Sequence, residues 1–201
     1  RNEEHLKSTV AELEKLGVKA VYSVFNVDEM AQVEQGVASI ASQLGSIDIL
    51  INNAGVGDFG SFEDMPVETW EKVMKVNLFG VYYVTKATLP YLKQNKEGDI
   101  VNVASTAGLK GGPNMSAYGA SKAAVISLSQ SLMAELRKFN IRVITLTPST
   151  IATDMSIEGK LTDGNPEKVL QPEDFAEWVR DILKMNRRAM IANASIFSTN
   201  P

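Results

Sequence analysis

Two tyrosines in this sequence are each followed four positions later by a lysine: Tyr118-Gly-Ala-Ser-Lys122 and Tyr82-Tyr-Val-Thr-Lys86. On a helix, residues four apart share a face, so either pair sets an ammonium beside a phenol. The chemistry on offer is proton transfer. A free tyrosine titrates near pH 10, and bringing it to neutrality needs about 4 kcal/mol of differential stabilisation. A close ammonium supplies part of that. Context separates the pairs. Tyr118 lies 13 residues after Ser105, which stands just past the apolar segment 99–104, and a glycine-rich stretch between them can fold back over a pocket. Tyr82 follows no strand end and is read as helix packing.

Other chemistries are poorly supplied. The chain has no cysteine, hence no disulfide, thiolate ligand or cysteine nucleophile. Its one histidine, His5, falls in a polar helical stretch and is expected at the surface, which leaves a Ser-His-Asp triad without its base. No carboxylates or imidazoles cluster at metal-ligand spacing. A net charge of -4 argues against nucleic acid as a partner. No apolar run is long enough for a membrane span, and residues 1–16 are too polar for a signal peptide. A cytoplasmic location fits.

The elements that must hold these residues alternate. Helical spacing predicts helices over 3–16, 28–44, 66–94, 115–139 and 172–185. Short apolar segments predict strands over 18–25, 47–51, 99–104, 141–147 and 188–194. Buried strands alternating with helices specify one α/β domain over 1–201, a doubly wound, Rossmann-like parallel sheet covered on both faces. In such sheets ligands bind beyond the carboxyl ends of the strands, here Asn52–Gly60, Ser105–Asn114 and Pro148–Asp154. Gly55-Val-Gly-Asp-Phe-Gly60 spells a dinucleotide fingerprint. It is rejected because no helix opens at Gly60 and no acidic residue ends a further strand about 20 positions on.

Asn52-Asn53-Ala54-Gly55, Asn77, Ser105 and the Tyr118–Lys122 pair, at intervals of 24, 28 and 13 residues from Asn53 onward, together resemble the short-chain dehydrogenase/reductase family, in its 3-oxoacyl-acyl-carrier-protein reductase form. The resemblance implies an NADP(H)-dependent oxidoreductase of fatty acid biosynthesis type that reduces a ketone to a secondary alcohol. Tyr118 would donate the proton, Ser105 would bond the carbonyl oxygen, Lys122 would lower the tyrosine pKa and hold the ribose, and Asn77 would hold a water leading to solvent. Asn26 and Val27 would contact the adenine, Asn53, Ala54 and Gly55 its ribose, and Pro148, Ile151 and Thr153 the nicotinamide. Arg1 would meet a 2′-phosphate and so favour NADP. Ser149 departs from the glycine usual after that proline, which puts the turn's geometry in question.

The resemblance starts one step in. The family opens with a strand, glycine-rich turn, helix and strand, and roughly 40 residues of that pattern, a unit of at least about 30, have no counterpart. The expectation is a truncated or incompletely defined form of a longer protein, with the strand over 18–25 lacking neighbours and apolar sheet edges exposed. The alternative is a catalytically incompetent fragment or assembly partner. Residues 149–170 are expected to form a substrate lid with Gly159 and Gly164 as hinges, and Leu109 and Met115 an apolar wall. Lys93 and Lys96 are candidate contacts for an acyl carrier protein, and the helices over 66–94 and 115–139 for a homodimer or homotetramer.

Overall fold

The computed structural model describes residues 2–199. Helix α1 (Glu3–Lys15) is capped by Asn2, whose side chain accepts from the His5 amide. His5 is exposed on it. Helix α2 (Met30–Leu44) ends at Gly45, at φ 89°, a left-handed cap that glycine adopts without penalty. Then follow β1 (Ile49–Asn52), α3 (Val67–Met74), a π-helical turn (Lys75–Phe79) and α4 (Gly80–Gln94). Next come β2 (Gly98–Val103), a 3-10 turn (Thr106–Gly108), α5 (Ser116–Leu136), β3 (Ile141–Pro148), α6 (Asp154–Glu158), α7 (Pro172–Lys184) and β4 (Asn193–Ile196).

The four strands form one parallel sheet in the order β1-β2-β3-β4. Every residue of β3 is buried, and all but the last of β2, as a sheet covered on both faces requires. Ile100 and Val143 pack with Leu92 and Leu136 toward α4 and α5, while Val101, Ile144 and Leu146 pack with Val179 and Ile182 of α7. The α/β sheet is therefore as expected. Among the described residues, no helix is long and apolar enough to cross a membrane.

Two expectations are corrected. Residues 18–26 form no strand, because a strand exists only through a ladder with a neighbour and none of the described residues pairs with this segment. It is held by side chains instead. Phe25 packs against Gly36 of α2, and Val27 lies where a Cβ on Gly80 would come within 2.8 Å. The free edge of β1 leaves Ile49 and Ile51 about half exposed, as anticipated. The last strand lies at Asn193–Ile196 rather than 188–194, since Arg187 and its neighbours are drawn into an ion-pair cluster.

That cluster was invisible in the apolar reading of 141–147. Arg142 and Asp99 are cross-strand partners, both buried, joined by Nε–Oδ1 at 2.6 Å and Nη2–Oδ2 at 2.9 Å. Arg142 also donates to the carbonyls of Leu183, Met185 and Ala189. Arg187 adds a contact to Asp99 and donates to the carbonyls of Gly98 and Asn140. A bidentate pair of this kind fixes the end of α7 to the sheet at the end opposite Ser105. Asp99→Ala strands a buried guanidinium and is expected to cost about 3–5 kcal/mol, read as a fall in the urea midpoint; a loss near zero would show that Arg142 needs only its carbonyl partners.

Candidate active site

The site is assembled at the carboxyl ends of β1, β2 and β3. Beneath it runs a line of buried polar side chains. Asn52 of β1 donates to Asn102 Oδ1 of β2 at 2.8 Å and to Thr85 Oγ1 of α4 at 3.0 Å. Asn102 donates in turn to Ser129 Oγ of α5 at 2.8 Å, and Ser129 to Val125 O. The chain of bonds ties both strands to both helices, so α5 sits at a fixed height over β2.

Ser105 follows β2, and its Oγ accepts from the Ala107 amide. The Thr106–Gly108 turn lies directly on α5. A Cβ on Gly108 would fall 2.6 Å from Lys122 C and 2.7 Å from Ala123 N, a contact with backbone that only glycine allows. This close approach brings Ser105 to Tyr118 on the first turns of α5, and both side chains line the same cavity.

Lys122, on the same face of α5, is 6% exposed; its Nζ donates to Val103 O at 2.8 Å and lies 5.7 Å from the centre of the Tyr118 ring. Burial pulls its pKa down to about 8. Burial pushes the Tyr118 phenol above its ordinary value, and the nearby Ser105 hydroxyl only partly offsets this. Desolvation of the phenolate sets the direction in the chain by itself. The phenol keeps its proton at neutral pH.

Asn77 lies in the π-helical turn, 1% exposed. Its amide accepts from Val56 N (2.8 Å) and donates to Val56 O (2.9 Å) and Ser121 Oγ (3.0 Å). The side chain thus clamps the loop after β1 onto α5. Gly55 completes the floor: a Cβ there would lie 3.3 Å from Asn77 Oδ1 and 3.7 Å from Lys122 Nζ.

Asn53, Ala54, Gly55, Ser105, Tyr118, Lys122, Pro148, Ile151 and Thr153 all line one cavity of about 850 Å³. Leu109, Met115, Met155, Leu161 and Phe197 give it apolar walls. Val27 stands apart, in a cleft of about 180 Å³ shared with Asn53 and Ala54; the neighbouring Asn26 amide is engaged by Gln32. Arg1 lies outside the described residues. Ser149 keeps an ordinary backbone and donates its N–H to Ile196 O at 2.9 Å, so the missing glycine strains nothing.

The lid over 149–170 is pinned by the Ile151–Leu170 bridge and carries α6. Gly164, at φ 79°, takes the left-handed turn expected of a hinge, whereas Gly159 does not. The 55–60 glycines precede a loop, and α3 opens only at Val67. Tyr82 and Lys86 bond each other on the outer face of α4, away from the cavity. Lys93 lies over the Phe139 ring, at the amino-terminal ends of the strands; a carrier protein docked at Lys93 and Lys96 would face the wrong end of the sheet. Sequence reasoning missed Gly108, Ser121 and Phe59. Only Gly108 left any signal, a glycine three residues past Ser105.

Residues 1–163 match the family described as short chain dehydrogenase. The chain is 38% identical over 167 residues to the 3-oxoacyl-[acyl-carrier-protein] reductase of Thermotoga maritima, covering 83% of this chain and 65% of that relative. It is 35% identical over 188 residues to the inactive 2-(S)-hydroxypropyl-CoM dehydrogenase 2 of Xanthobacter autotrophicus, covering 87% of this chain and 81% of that one. Among solved structures, an NAD+-bound xylitol dehydrogenase superposes with a TM-score of 0.90 at 28% identity, over 98% of this chain and 85% of that one. An alcohol dehydrogenase from the archaeon Thermococcus sibiricus, complexed with 5-hydroxy-NADP, superposes with a TM-score of 0.89 at 25% identity, over 100% and 84%.

The buried ammonium costs stability. Its folded-state pKa of about 8 lies below the ordinary 10.5, so the penalty is fully present below pH 8 and fades as pH climbs toward 10.5. Lys122→Met is therefore expected to be more stable than the parent by about 1–2 kcal/mol at pH 7, after allowing for the lost bond to Val103. Urea unfolding at pH 7 and pH 10 reads it: the gap should shrink at the higher pH, and equal stability at pH 7 would refute the account.

Proposed function

Because the chain belongs to the short chain dehydrogenase family, we propose that it forms the reaction centre of an NADP(H)-dependent oxidoreductase. The reaction would reduce a ketone, most simply a 3-oxoacyl thioester or related carbonyl, to a secondary alcohol. The observation that carries this reading is the convergence of Ser105, Tyr118 and the buried Lys122 on one wall of the 850 Å³ cavity, with the Lys122 ammonium 5.7 Å from the centre of the Tyr118 ring.

In this reading a carbonyl oxygen sits between Ser105 and Tyr118. Bound nicotinamide supplies the hydride. As negative charge grows on the oxygen, the Ser105 hydroxyl donates a hydrogen bond to it and Tyr118 passes it the phenolic proton. The phenolate left behind is stabilised by the Lys122 ammonium on the same helix face. The Asn77 clamp on Val56 holds the loop that carries Gly55 against Lys122, where the absence of a Cβ leaves room for a ribose. Pro148, Ile151 and Thr153 would hold the nicotinamide, Asn53 and Ala54 the adenine-side ribose, Asn26 and Val27 the adenine. The apolar walls suit an acyl chain, and such a chain delivered by an acyl carrier protein belongs to the same reading. Assembly into a homodimer or homotetramer through α4 and α5 is supported by Phe79 and Tyr82, which stand 44% and 42% exposed on a continuous aromatic surface with Tyr83.

The open edge of β1 favours a second reading, a non-catalytic partner that pairs this edge within a larger assembly. Kinetics divide the two. Tyr118→Phe is expected to lower ketone reduction by about 10²-fold or more with cofactor affinity little changed; a purified protein that neither binds NADPH nor reduces any ketone would leave the partner reading. Turnover with NADPH should exceed turnover with NADH, and a clear preference for NADH overturns the NADP assignment.

A further inference from the structure

The loop after β1 sends one aromatic side chain into the site. The Phe59 ring meets the Tyr118 ring edge to face, with centroids 5.5 Å apart and planes at 63°. Two glycines make space for it. A Cβ on Gly57 would lie 2.8 Å from Phe59 Cζ and 3.1 Å from Met155 Sδ; a Cβ on Gly159, in the lid, would lie 2.8 Å from Phe59 Cδ2 and Cε2. The ring is thus seated in a socket with no side chain on either flank, beside a methionine supplied by α6.

Behind that socket lies a second cavity of about 610 Å³, lined by Asp58, Glu158, Lys160 and residues 55–57. Phe59 and Met155 line both this cavity and the reaction cavity. One side of the partition is apolar and holds Tyr118; the other is lined by charged side chains. We propose that Phe59, with Met155, is the specificity-determining partition of the site: it closes the reaction cavity on one side of the carbonyl, admits only a small substituent there, and leaves the larger apolar arm of the ketone to the side of Leu109, Met115, Leu161 and Phe197. A substituent too long for that side has to displace a ring held between two glycines, or enter a charge-lined space where an alkyl group gains little.

This inference rests on the reductase reading. The probe is a series of ketones with one fixed long apolar arm and a second arm grown from methyl to butyl, assayed by kcat/KM. In the parent protein kcat/KM should fall about tenfold or more once the growing arm meets the ring, the scale of one methylene in a closed pocket. Phe59→Ala and Met155→Ala should each flatten that fall. Phe59→Ala also removes the contact with Tyr118 and is expected to lower turnover of every member, so the slope of the series is the readout. Met155→Ala thins the same wall from the lid and serves if Phe59→Ala does not fold. A parent that reduces ketones but shows the same slope in both variants overturns the partition alone. A parent that reduces no ketone overturns the reductase reading and the partition with it.

Discussion

The amide pair of Asn52 and Asn102, cross-strand neighbours near the carboxyl ends of β1 and β2, is the contact on which the site's geometry depends. Each side chain spends its remaining bond on a different helix, Asn52 on Thr85 of α4 and Asn102 on Ser129 of α5. A single hydrogen bond adds only about 1 kcal/mol net, but leaving a buried amide without its partner costs about 1–3 kcal/mol. The network therefore contributes less as bulk stability than as a penalty on wrong arrangements. Sliding either strand or either helix by one residue would leave several buried polar groups unpaired at once. Tyr118 and Lys122 stand on α5 and Ser105 at the end of β2, so the helix height fixed by Ser129 is also the height of the phenol relative to the serine.

Above this anchor the site is built by close approach. Gly108 lets the turn after β2 rest on the α5 backbone, Gly55 brings the loop after β1 near Lys122, and Gly57 and Gly159 make room for Phe59. Three loops from three strands converge where side chains are missing. The fourth clamp is polar: Asn77 holds Val56 by both main-chain groups and reaches Ser121. The local geometry needed for this is a π-helical turn, a form that is rare elsewhere and frequent at functional sites.

The two ends of the sheet divide the labour. At the amino-terminal end, Asp99 and Arg142 are buried together, each charge satisfied, with Arg187 closing the cluster. At the carboxyl end, Lys122 is buried, pairs with no carboxylate among the described residues, and its ammonium is destabilised accordingly. The first arrangement secures the fold. The second holds a charge under tension, which is useful only if an anion forms nearby, as a phenolate would at Tyr118.

The sequence by itself determined the class of fold and the chemical groups of the site. Parallel strands buried on both faces read as short apolar runs, helices as amphipathic periods, and these local patterns need no partner to be recognised. The spacing of Ser105, Tyr118 and Lys122 was equally local, because a strand end and one helical turn fix it. What tertiary structure alone decided is everything that depends on neighbours distant in sequence. Residues 18–26 have the composition of a strand, but strand formation is a property of a ladder, and none of the described residues pairs with them. Asp99 and Arg142 lie 43 positions apart in sequence, and only the register of β2 and β3 sets them opposite one another. The upward push on the Tyr118 phenol comes from burial, which the whole fold sets, while the Lys122 spacing is set by four residues. Phe59 gave no sign at all: its contact with Tyr118 spans 59 positions of sequence, and it exists because two glycines from different loops leave the ring a place to stand.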